Sequence, residues 1–194
     1  MNNKRINPFV TVIIGMTGYF LGGLTTGFFT GIRQTHSVLY PRVPLIAVGI
    51  GSLILGIFIL KGKDIFKLMV VGIISYLAVI LVSLLLLRPI IFGGWLNYFA
   101  DSADFIKFGL PTFILGIVTT AAYTAAFGAQ LFSFENILKS GLIGIIASVP
   151  VGIIAGLGNT IANSSPSVES IWIYISFGAA VGLLVGIQAS KKTS

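Results

Sequence analysis

Six apolar stretches dominate this chain, and they constrain its fold more than any other feature. A bilayer presents about 30 Å of hydrocarbon, and a helix climbs about 1.5 Å per residue, so one span takes roughly 20 apolar residues. The stretches cover residues 8–31, 44–60, 65–87, 108–132, 137–157 and 171–189. They use most of the 194 residues, so no soluble domain of useful size is left. The chain carries 12 basic and 5 acidic residues. That is too few for the polar skin of a soluble fold, where about a quarter of residues are charged. The expected class is all-α: a polytopic integral membrane protein with six transmembrane helices.

Proline placement sets the boundaries. Pro8, Pro41, Pro44, Pro89, Pro111 and Pro166 fall in expected loops or first turns, where no helical hydrogen bond is lost. Pro150 alone falls inside a span, where it frees a carbonyl one turn back and is expected to bend the helix. The MNNKRIN leader carries no signal-peptide cleavage pattern behind it, so the first span is expected to stay in the protein.

Lysine and arginine give the orientation. With the N-terminus inside, Lys4, Arg5, Lys61, Lys63, Lys67, Lys139, Lys191 and Lys192 face the cytoplasm, and Arg33, Arg42, Arg88 and Lys107 face out. The bias places both termini in the cytoplasm, with the plasma membrane as host. Tyr40, Trp95, Tyr98, Trp172 and Tyr174 then fall at outer ends of spans, at the depth of the headgroups. The stretch 89–100 is apolar but too short to cross, and is expected to lie flat in the outer interface or to dip in as a re-entrant segment. A net charge of +7 does not imply nucleic acid, because the basic residues are scattered at span ends.

The chain also hints at a repeat. LGGLTTGFFTGIR (21–33) and LGIVTTAAYTAAF (115–127) match at Leu21/Leu115, Gly22/Gly116, Thr25/Thr119, Thr26/Thr120 and Thr30/Thr124. Ser52/Ser148 and Gly56/Gly152 align more weakly. The halves are then 1–100 and 101–194, three spans each. An odd number of spans turns the second half upside down, giving an inverted 3+3 repeat.

No Asp, Glu, Lys or Arg lies mid-span, which argues against a self-powered proton antiporter but leaves room for a facilitator or a sodium site of hydroxyls and carbonyls. Threonine, glycine and tyrosine remain. Thr26, Thr30, Thr120 and Thr124, with Tyr19 and Tyr123, are the candidates to line a solute path between the first and fourth spans. Tyr76 is also mid-span, and threonines are the expected partners for these phenols. Gly15, Gly23, Gly27 and Gly31, with Ala121 and Ala125, form small-residue stripes expected to let helices approach closely.

Several chemistries are excluded. The chain has no cysteine and one histidine, His36, so thiolate, iron–sulfur and multi-histidine metal sites are out. No G-x-S-x-G, H-E-x-x-H or Walker motif occurs, Asp101 and Asp104 read as solvated loop carboxylates, and the chain is not expected to be an enzyme or to hold a cofactor. Arg33, Gln34 and His36 read as an anchor at the outer end of the first span. Six spans, cytoplasmic termini and a small-residue first helix resemble, in layout alone, the substrate-binding subunits of energy-coupling-factor importers. The expected function is transport of a small solute, as a channel, facilitator or transporter subunit. The alternative is a non-transporting accessory or assembly subunit, associating as a homo- or hetero-oligomer through the glycine-rich faces, with the bilayer as its other partner.

Overall fold

A computed structural model describes residues 7–32, 43–60, 64–82, 85, 94, 98–99, 101–132, 136–162 and 171–191; side chains at 26–32, 43, 162, 171 and 189–191 lie outside that description. The elements are α1 (Pro8–Ile32), α2 (Val43–Ile59), α3 (Asp64–Val82), α4 (Leu110–Leu131), α5 (Ile137–Ala162) and α6 (Ile171–Lys191). A π-helical turn, Phe105–Gly109, leads into α4. No strand occurs among the described residues. Four segments are long and apolar enough to cross a membrane: Pro8–Thr25, Asp64–Val82, Phe105–Leu131 and Ile137–Ile161. Pro44–Ile59 and Trp172–Gln188 are shorter apolar helices.

Two boundaries differ from those expected, and each has a local cause. Helical structure ahead of α4 begins at Phe105 rather than 108. Pro111 has no N–H for the Lys107 carbonyl, and its ring crowds that oxygen. The turn before it widens to π geometry, with the Leu110 N–H donating to the Phe105 carbonyl. Thr112 Oγ1 then donates to the Phe108 carbonyl at 2.9 Å. At the other boundary, α5 runs to Ala162 rather than ending at 157. Its last turns are polar, but Asn159 Nδ2 donates to Thr112 Oγ1 at 2.6 Å and Thr160 Oγ1 to the Gly156 carbonyl at 2.8 Å. Asn159 thereby ties the end of α5 to the start of α4. The helix runs through Pro150, which is exposed.

Helices α1 to α5 form an arc in which each packs on the next, and α6 fills it. α6 packs most closely on α1, and also on α5, α4 and α2. Its Phe177 ring meets Tyr76 of α3 edge to face at 6.2 Å, so α6 touches all five other helices. Ile173, Tyr174, Phe177, Ala180, Val181 and Leu184 are at most 2% exposed. A helix buried on nearly every side has no need of an amphipathic stripe. Helices α1, α2, α3 and α5 turn large apolar side chains outward, among them Phe9, Phe20, Phe58, Phe66, Leu81, Leu138 and Ile161.

Glycine makes the close contacts possible. On α6, Gly178, Gly182 and Gly186 recur every fourth residue and share one face. A Cβ at Gly178 would fall on the Gly15 carbonyl, one at Gly182 on the Thr11 carbonyl, and one at Gly186 within 2.7 Å of the Pro8 Cα. Similar approaches join α1 to α2 at Gly22 and Ala47, and the π turn ahead of α4 to α5 at Gly109 and Gly156. The obstructing atoms are backbone, which cannot swing aside. Gly178→Ala is therefore expected to lower thermal stability, by about 1–3 kcal/mol. Gly158 of α5 is exposed and has nothing within 4 Å of an added Cβ. Gly158→Ala is expected to be neutral or stabilising, because alanine is favoured over glycine in a helix by up to about 1 kcal/mol. Thermal unfolding of both variants in one detergent checks the pair.

Candidate functional site

The polar centre of the bundle lies where α1, α2, α3 and α4 meet. Tyr19 of α1 and Tyr123 of α4 are fully buried, and their hydroxyls share a hydrogen bond of 2.7 Å. The Tyr19 hydroxyl also bonds to Ser52 Oγ of α2 at 2.6 Å. Two glycines make room for this cluster. A Cβ at Gly51 would meet the Tyr19 ring at 2.6 Å, and one at Gly72 of α3 would fall on Ser52 Oγ and lie 3.2 Å from the Tyr123 hydroxyl. Phe177 of α6 stacks on the Tyr123 ring at 4.5 Å, with Phe127 tilted against it at 6.0 Å.

Each of the three side chains carries one O–H donor. Ser52 and Tyr123 also face each other across Tyr19, so the three hydroxyls form one mutually bonded set in a site with no charge of its own. Such a cluster is suited to exchanging hydrogen bonds with an uncharged polar group.

Threonines are the expected partners of the tyrosines, but the described hydroxyl bonds of Tyr19 and Tyr123 go to Ser52 and to each other. Thr25 donates to the Gly22 carbonyl at 2.5 Å, Thr119 to the Leu115 carbonyl at 2.6 Å and Thr124 to the Thr120 carbonyl at 2.7 Å. A short side chain on a helix reaches its own carbonyl one turn back more easily than a neighbouring helix. A phenol cannot fold back in this way, so it crosses between helices. Thr120 is the exception among these: it is 0% exposed and its Oγ1 has no partner.

The remaining candidates fall in several places. Gly15 lies on the α6 seam, and Gly23 is buried. Ala121 and Ala125 face α5, at Gly144 and Gly141 respectively. The side chains of Thr26, Thr30, Gly27 and Gly31 lie outside the described residues, as do Arg33, Gln34, His36, Tyr40 and nearly all of 89–100. Tyr98 and Trp172 are exposed, in keeping with an interfacial position. Tyr174 is not interfacial. It is 0% exposed and packs edge to face on Phe177 at 6.1 Å, because α6 is enclosed at that level. Asp101 and Asp104 are exposed.

Sequence reasoning missed three parts of the centre: Ser52 as a hydroxyl partner, Gly72 as the space beside it, and Phe177 as the ring that backs Tyr123. A lone serine or glycine in an apolar helix carries no signal of what lies opposite. The α6 triad is different, since its G-x-x-x-G-x-x-x-G spacing is legible without a structure. Gln130 was also missed; its Nε2 donates to Ser75 Oγ at 3.0 Å, bridging α4 and α3.

No protein-family model, no curated protein and no solved structure matches this chain.

The two tyrosines differ in how much depends on them. Tyr19→Phe removes both bonds of the Tyr19 hydroxyl. It is expected to cost about 1–3 kcal/mol of stability. Tyr123→Phe leaves the Tyr19–Ser52 bond in place and is expected to cost less, under about 1 kcal/mol. Chemical or thermal unfolding of the two variants side by side gives the order.

Proposed function

We propose that this chain is a six-span integral protein of the plasma membrane that passes a small uncharged solute along a path between α1 and α4. The hydroxyl cluster of Tyr19, Ser52 and Tyr123 closes that path in the state described above. The cluster itself carries the reading. Three hydroxyls on three helices are sealed in an apolar bundle, with glycines on two sides making room for them. A purely structural core would be served as well by apolar side chains, which leave no donor to satisfy.

The close-contact glycines of α1, α2 and α6 support the same reading. They face other helices of this chain, so they are already used within it. An accessory subunit would need another docking face. The outward face of α5 suits that second reading: Leu142, Ile146, Ile153, Ile154, Leu157 and Ile161 are exposed, and Gly158 is open beside them.

The two halves are proposed to be an inverted repeat. The pairing of α1 with α2 and α2 with α3 recurs as α4 with α5 and α5 with α6. At matched positions, Thr25 donates to the Gly22 carbonyl, and Thr119 reaches the Gly116 carbonyl at 3.3 Å as a second acceptor. α6 sits deeper than α3, which packs on α2 and α4. Both termini are proposed to be cytoplasmic from the lysine and arginine bias. Reporter fusions at residue 194 are expected to report a cytoplasmic C-terminus, and an external one reverses the orientation.

Flux in liposomes tests the function. Purified protein in phosphatidylcholine–phosphatidylglycerol vesicles is challenged with glycerol or urea, and volume is followed by light scattering. Wild-type vesicles are expected to equilibrate faster than protein-free ones. Tyr123→Phe removes one closing bond of about 1 kcal/mol, so the open fraction and the rate are expected to rise by up to about fivefold. Rates equal to protein-free vesicles for both proteins would favour the accessory reading.

A further inference from the structure

One hydroxyl and one glycine of α4 stand apart from their neighbours. Gly116 is buried, yet a Cβ built there meets nothing within 4 Å. Gly15, Gly22, Gly51, Gly72, Gly128 and Gly178, also buried, meet backbone or side-chain atoms at once. Among the described residues, therefore, no atom fills the interior beside Gly116, which leaves room for at least a methyl-sized group. Thr120 lies one turn further along α4. Residues four apart share a helix face, and side chains tilt toward the N-terminus, so Thr120 leans over the Gly116 turn. Its hydroxyl is fully buried and without a partner, whereas Thr112, Thr119 and Thr124 of the same helix all donate to a carbonyl one turn back.

A buried hydroxyl that forgoes its own helix carbonyl, beside an unfilled space, is suited to a polar occupant. Dry voids in proteins are lined by apolar groups, and this one has a free donor and acceptor at its edge. Tyr123 lies three residues beyond Thr120 and so falls on an adjoining part of the same face. Its hydroxyl belongs to the closed cluster. The space at Gly116 thus adjoins the seal, on the side of the α4 N-terminus.

We propose that Gly116 and Thr120 form a binding subsite for a small uncharged hydroxyl-bearing solute, held next to the Tyr19–Tyr123 seal by the Thr120 hydroxyl. Water is the smallest occupant of the same chemistry, and a polyol is the solute. No charged side chain lies mid-span to recruit an ion. The subsite deepens the transport reading and rests on it for its role, while its existence is tested separately.

The chain has no cysteine, so single cysteines report alone. Gly116→Cys places a thiol in the space, and Thr120→Cys replaces the free hydroxyl at nearly the same size. Ser148→Cys is the buried comparison, since Ser148 is 0% exposed and donates to the Ile145 carbonyl. Folded protein in phosphatidylcholine–phosphatidylglycerol vesicles is treated with a small neutral hydroxyethyl methanethiosulfonate, and labelling is followed by mass. A thiol reacts only where it can ionise and be reached, so the cysteines at 116 and 120 are expected to label at least about tenfold faster than the one at 148. Molar glycerol or ethylene glycol is expected to slow that labelling at least about twofold by occupying the site. Labelling at 116 and 120 no faster than at 148 overturns the subsite. Fast labelling that neither polyol slows overturns the solute assignment and leaves a water site. Thr120→Val adds a check that does not depend on the cysteines. Raised thermal stability would mean a dry, unused hydroxyl and would overturn the proposal, whereas unchanged or lowered stability supports an occupied site. The flux measurement fails independently: a labelled, protected chain without flux keeps the subsite and loses the transport reading.

Discussion

Helices in hydrocarbon gain little from hiding apolar surface from one another, because lipid tails are as apolar as leucine. They associate by close packing and by satisfying polar groups. The seam between α1 and α6 meets that constraint most fully. Gly178 and Gly182 lie on the carbonyls of Gly15 and Thr11, and Gly186 lies on Pro8. This approach draws α6 into the arc of the other five helices. Once α6 is inside, Phe177 reaches Tyr76 on one side and backs Tyr123 on another. The position of the central tyrosine thus depends on the α6 glycine face, which begins at Gly178, the residue next to Phe177.

The second constraint is the accounting of hydroxyls. Thr25, Thr112, Thr119, Thr124, Ser75, Ser148 and Ser176 all donate to carbonyls of their own helices. These bonds are local and do not orient one helix against another. The cross-helix polar bonds come instead from longer side chains: Tyr19 and Tyr123 at the centre, Gln130 to Ser75, and Asn159 to Thr112. Polar links of this kind are worth modest energy each, averaging under about 1 kcal/mol. Their value here is placement, since each specifies which faces of two helices meet.

Much of the architecture is legible in the sequence because hydropathy and proline act locally. All six helices fall on the expected apolar stretches, and Pro8 and Pro44 lie in first turns. The π turn before Pro111 is less legible, since it depends on how the chain relieves a crowded carbonyl. At the site, burial of Tyr19 and Tyr123 follows from their mid-span positions, but their pairing does not. Tyr19 aligns with Phe113 in the repeat register and Tyr123 with Phe29, so the internal match gives no reason to join them. Ser52 and Gly72 are informative only together, across two helices. Threonines on one helix face form a legible pattern, but the pattern does not say what they bond to: Thr124 bonds to its own helix and Thr120 to nothing described.

α6 is the enclosed helix of the bundle, held there by its glycine face, with α1, α2, α3 and α5 turning apolar side chains outward. A photoactivated carbene reagent dissolved in the lipid phase tests this directly, with labelled positions read by peptide mass spectrometry. Label is expected on the outward residues of α1, α2, α3 and α5, such as Phe20, Phe58, Phe66 and Ile146, which are all exposed. Along α6 it is expected only on the partly exposed strip of Trp172, Ile175, Leu183 and Ile187, sparing the buried run between them. Labelling of Phe177, Gly178 and Val181 as strong as that of α5 would place α6 at the lipid surface and contradict the account.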